Sequence, residues 1–149
     1  MNHHRLFTRV ISGMLPVVLC GVAGVASAKS EIKGAAILDN ACGKVAVKQM
    51  GFVHDGHMDE ANKLSTKEMQ DQWKTMPAKD RTMMSGMMKE MSQTEAQYAA
   101  DIKANGVLVV DGSAATLTVK KTSKDKNGSS TETITQNFKI DRAQCLISR

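Results

Sequence analysis

Between residues 102 and 147 the chain switches sides at nearly every step, and no other feature constrains the fold as strongly. Ala115, Leu117 and Val119, then Ile134, Phe138 and Ile140, fall at every second position or a multiple of it, with Thr116, Thr118, Thr133, Thr135 and Lys139 between them. A period of two predicts strands that bury one face. Asp111-Gly112 and Lys126-Asn127-Gly128 supply residues that tolerate positive φ, which tight antiparallel reversals require, so the strands form a β-meander. Upstream, Tyr98, Ala100 and Ile102 alternate, residues 107–110 form a short apolar run, and a last strand over 143–147 carries Cys145. The expected sheet has about four antiparallel strands. Its apolar face needs a cover, and the helical half of the chain before Gln97 provides one, which makes the fold α+β.

Over residues 31–52 the apolar positions Ala35, Leu38, Cys42 and Val45 recur at three and four, the stripe of a helix that ends no later than Gly56. A short helical segment follows over 59–64. Ser65-Thr66-Lys67-Glu68 then reads as a capping box opening a helix whose buried side carries Met69, Trp73 and Met76. Pro77 breaks that helix and starts the next, where Met84, Met87, Met88 and Met91 fall at i, i+3, i+4 and i+7 on one face.

The start of the chain reads as an address. Arg5 and Arg9 precede an apolar run over residues 10–25, and Ala26-Ser27-Ala28 places small residues where a signal peptidase cuts, so residues 1–28 are a cleavable signal peptide. The run is too short for a membrane span. Leu19 before Cys20 is too large for a lipoprotein box, so simple cleavage is preferred to a lipid anchor at Cys20. What remains, residues 29–149, is enough for one domain. It holds 18 basic and 15 acidic residues, a net charge of +3, with no basic run, which argues against nucleic acid as a partner. Cys42 and Cys145, two cysteines in an exported chain, point to one disulfide pinning the first helix to the last strand.

Three stretches carry a resemblance to a known family. Val53-His54-Asp55-Gly56-His57-Met58-Asp59-Glu60-Ala61 resembles a helix-glycine-polar-helix step, Leu64-Ser65-Thr66-Lys67-Glu68-Met69 a leucine-serine-x-x-acid step, and Val110-Asp111-Gly112 the opening of a long hairpin, in small exported bacterial domains of nuclear-transport-factor-2-like, or cystatin-like, fold. Where many members carry a tryptophan-lysine-isoleucine segment, this chain reads Asn137-Phe138-Lys139-Ile140-Asp141. The resemblance implies a curved sheet wrapped about the first helix, with a pocket at its open end. It implies no reaction, because this fold hosts enzymes, transport factors and assembly modules alike.

Enzymes of that fold use an aspartate or histidine in an apolar cone. Here the inward side of the meander reads Leu117, Val119, Ile134, Gln136, Phe138 and Ile140, with only Gln136 polar, and Asp101 flanks its strand facing water. The expectation is a non-enzymatic module of the periplasm that binds an envelope protein or a small apolar ligand, of inhibitor or immunity type, with Trp73, Tyr98 and Gln136 as candidate contacts. The alternative is a Cu(I) or Ag(I) binder. Met83, Met84, Met87, Met88 and Met91 offer thioethers, and His54, His57 and Met58 form a His-x-x-His-Met run for copper or zinc. Against both stands the plain reading of a methionine face as core or partner surface, and of two histidines as exposed loop residues.

Overall fold

A computed structural model describes residues 28–125 and 128–149; residues 1–27, which hold most of the expected signal peptide, and the Lys126-Asn127 pair lie outside the described residues. The chain enters as a strand, not a helix. β1 (Ser30–Lys33) points only Ile32 inward, and Gly34, at φ 60°, turns the backbone out of it. α1 (Ala36–Asp39) follows, and Asn40 then adopts extended angles while its side chain accepts the Cys42 N–H at 2.9 Å, starting α2 (Ala41–His54). The single helix expected over 31–52 is therefore three pieces. The break re-aims the apolar stripe: Ile37, Cys42, Ala46 and Val53 are buried, whereas Ala35 is exposed. Gly43 permits this fold-back, since a Cβ there would sit 1.9 Å from the Ile37 carbonyl oxygen.

α3 (Met58–Lys63), α4 (Lys67–Thr75) and α5 (Ala78–Met91) lie near the expected places, with Gly56 at φ 81° ending the preceding turn and Pro77 opening α5. The expected capping box of Ser65 with Glu68 does not form, because the N-cap of α4 is Thr66, one residue later, and it makes no side-chain cap. Backbone pairing replaces it. The Thr66 N–H donates to the Ile147 carbonyl at 2.8 Å, and the Ile147 N–H donates to the Leu64 carbonyl at 3.0 Å. The corner between α3 and α4 is thus tied to the last strand, with Ser65 buried in the seam.

The alternation of Tyr98, Ala100 and Ile102 belongs to a helix, α6 (Glu95–Asn105), which corrects the strand expected there. Tyr98 and Ile102 are four residues apart and therefore on one helical face, and both are fully buried. The capping box sits here: the Thr94 hydroxyl accepts the Gln97 N–H and the Gln97 side chain accepts the Thr94 N–H, each at 3.2 Å. Asp101, on this helix, is half-buried and accepts the Gln93 amide at 2.9 Å.

Four more strands complete the sheet: β2 (Gly106–Asp111), β3 (Ala114–Asp125), β4 (Gly128–Asp141) and β5 (Gln144–Ser148). All neighbours are antiparallel in the order β1-β2-β3-β4-β5, so five strands are described where about four were expected. Register stacks Leu108 on Leu117 and Ala115 on Phe138, which faces Ile147. Those five residues form the core with Val119, Ile37, Tyr98 and Ile102. Thr133, Thr135, Asn137 and Lys139 line the opposite, exposed face of β4. Cys42 and Cys145 are joined, with Cα atoms 5.0 Å apart and 103 residues between them in sequence number, so α2 is stapled to β5. Among the described residues no helix is long and apolar enough to cross a membrane.

Candidate functional site

Nine of the eleven methionines lie between residues 50 and 91, and that stretch holds only Phe52, Val53, Leu64 and Trp73 as other large apolar side chains. Residues 92–149 contain no methionine. The tertiary structure converts this segregation into a surface. α5 buries no residue, and Met83, Met87 and Met91 are 61%, 57% and 78% exposed along it. Position on the helix sorts the methionines, because residues four apart share a side. Met84 and Met88 turn toward α4, Met88 and Met91 toward α2, and Met83 and Met87 line neither cavity.

Two apolar cavities lie under the helix. One, of about 190 Å³, is lined by Met58, Met69, Met76, Met84 and Met88 with the ring of Trp73. The other, of about 220 Å³, is lined by Met50, Val53, Met88 and Met91, with Gln49 and Gln136 as its polar side. Met88 and Gln49 are common to both.

The polar residues beside the second cavity are linked in a chain. The Tyr98 hydroxyl donates to Gln136 Oε1 at 2.9 Å, and Gln136 Nε2 donates to Gln49 Oε1 at 2.8 Å, joining α6, β4 and α2. Burial, and secondarily the charge of Asp101, pushes the Tyr98 phenol well above its usual range, so it remains a neutral donor. Gln136 was singled out in the sequence as the lone inward polar group; Tyr98 and Gln49 account for it. Tyr98 is core and offers no exposed contact.

Trp73 is half-buried and stands between the 190 Å³ cavity and an open polar cleft lined by His57, Asp59, Glu60, Arg81, Thr82 and Ser85. Its indole N–H donates to Asp59 Oδ1 at 3.0 Å, fixing the ring across α3 and α4. The expected buried side of α4 is only partly buried: Met69, Trp73 and Met76 are all intermediate, because they face a cavity.

The His-x-x-His-Met run is divided. His54 Nδ1 lies 3.4 Å from the Ser92 hydroxyl, His57 is exposed over the polar cleft, and Met58 is buried and lines both the cleft and the thioether cavity. Among the described residues no group of three or more His, Cys, Asp or Glu could hold a metal ion. The sequence pattern overlooked Gln49, an ordinary polar residue in a helix, and Met50. Met69 and Met76 were assigned to a helix face, but no local signal joined them to Met84 and Met88. Searches against protein-family models, curated proteins and solved structures each found no match to this chain.

Proposed function

We propose that this chain is an exported, non-enzymatic binding module of the bacterial envelope, of nuclear-transport-factor-2-like or cystatin-like fold, that holds an apolar segment of a partner protein or a small apolar ligand on the outer side of α5. One observation carries the reading: a helix without a buried residue presents Met83, Met87 and Met91 to solvent beside an apolar cavity. Contiguous exposed apolar surface marks a contact site, and unbranched thioether side chains adapt to varied shapes at small cost. Support for the periplasmic address comes from the signal-like pattern of residues 1–28 and from the disulfide, a bond that persists in oxidising compartments. Support for binding without chemistry comes from the inward polar groups, two carboxamides and a neutral phenol that are already bonded to one another.

The test places a photo-crosslinking residue at position 87 in cells that export the protein, alongside in vitro binding of a naphthalene-sulfonate probe to the native fold. Met83→Lys/Met87→Lys/Met91→Lys should abolish both the crosslinked product and the probe signal without changing the unfolding midpoint. A native protein that neither yields a crosslink nor binds the probe would sink the reading.

A further inference from the structure

We propose that the cavity between α3, α4 and α5 is a thioether site for a soft monovalent metal ion, Cu(I) or Ag(I). Methionine as a flexible filler would be expected wherever packing is irregular. Here, among the described residues, the core against the sheet is built from Ile37, Ile102, Leu108, Leu117, Val119 and Phe138, without a methionine among its buried members and with only Met50 and Met69 partly buried against it. Around the cavity the choice is reversed. Its large apolar side chains are Trp73 and five methionines, contributed by the first residue of α3 (Met58), by α4 and its C-cap (Met69, Met76), and by α5 (Met84, Met88).

Thioethers are soft, uncharged donors that suit Cu(I) and Ag(I), whereas Mg²⁺ and Ca²⁺ require oxygen ligands. Neutral donors leave the ion its single positive charge, and the Trp73 face offers attraction to a cation of that kind. Asp59, on the indole N–H, holds the ring in place. Arg149 is the one charged residue in the lining, and it is exposed, so water screens its repulsion. About 190 Å³ leaves room for an ion among the five methionine side chains. Thioethers bind no proton in the ordinary range, so occupancy of this site is independent of pH, unlike any site built on His54 and His57. The inference uses Met84 and Met88, the two least exposed α5 methionines at 40% and 37%, which line this cavity, whereas the docking face uses Met83, Met87 and Met91, and either can fail alone.

The test is titration of the purified, disulfide-intact protein with Ag(I) in chloride-free buffer, following the emission of Trp73, the chain's single tryptophan. One Ag(I) per chain should quench Trp73, with the same affinity at pH 7 and pH 5. Met58→Leu/Met69→Leu and Met84→Leu/Met88→Leu, which conserve volume, should each weaken binding at least tenfold, and Met83→Leu/Met87→Leu should stay within twofold of the parent. Should a Leu variant fail to fold, the parent protein still decides: no Trp73 response at saturating Ag(I) overturns the proposal. Equal loss in the Met83/Met87 variant, or binding that disappears at pH 5 and in His54→Ala/His57→Ala, overturns it as well.

Discussion

The half of the molecule made by the sheet with α1, α2 and α6 differs from the arm formed by α3, α4 and α5 in chemistry and in packing. The first is filled with branched aliphatics and an aromatic pair, Tyr98 and Phe138, that are almost wholly excluded from water, and a covalent staple crosses it. The second buries only Met58 and Ala61 on α3, none of α4 or α5, and keeps cavities under its methionines. Branched side chains have few rotamers and specify one packing, whereas methionine has three rotatable bonds and specifies little. One half therefore holds shape and the other retains adaptable surface. Regions with few buried apolar contacts open at lower free energy, so amide exchange in α5 is expected to outpace that in α2 and β3.

The contrast breaks most visibly at the staple. Removing it with Cys42→Ala/Cys145→Ala should cost about 4–5 kcal/mol on the chain-entropy account for a loop of this length, read as a drop in the denaturant midpoint. A loss below about 1 kcal/mol would mean that the sheet half does not depend on the staple. Next comes Gly43→Ala, where the new Cβ meets backbone that cannot yield; about 3 kcal/mol of destabilisation is expected, measured in the same way. Tolerance at this position would show that α1 is as adaptable as the arm.

Tyr98→Phe should cost about 1–2 kcal/mol by leaving Gln136 Oε1 without its donor. It also has a pH signature. Because the folded phenol keeps its proton beyond the point where an unfolded tyrosine loses it, its contribution is intact below about pH 10 and is lost above it. The fall is at most about 1.4 kcal/mol per pH unit, and the Phe variant should lack that part of it. The smallest expected effect lies in the arm. Gly86, in the middle of α5 with nothing near its missing Cβ, should gain about 0.5–1 kcal/mol of helix stability as Gly86→Ala. Slower exchange confined to α5 would sharpen the contrast, and an unchanged rate would show that the helix is already held by its neighbours.

Where the sequence reading went astray, two periods competed over short windows. Tyr98, Ala100 and Ile102 satisfy alternation, yet Tyr98 and Ile102 equally satisfy a helix, and Thr94 with Gln97 decided for the helix. The four residues of β1 hold a single inward apolar group and were too short to outweigh the helical spacing that follows them. The turn between β4 and β5 places Arg142 and Ala143 at φ 47° and 67° without a glycine or asparagine, so no turn residue announced it. In the site, the α5 methionines were identifiable from spacing, but their assembly with Met58, Met69 and Met76 was not.

The sequence by itself determined the long hairpin of β3 and β4, the Asp111-Gly112 turn that leads into it, the positions of α3 to α5, the Cys42–Cys145 pairing and the gathering of nine of the eleven methionines in one stretch, since each is written in neighbouring residues or in a count of two. Only the tertiary structure decided that α1 breaks from α2 at Asn40, that β1 joins the sheet edge, and that five thioethers and one indole face a shared cavity. Those outcomes depend on how separate elements pack, which is set by contacts between residues far apart in the chain, and no local period records the angle at which two helices meet.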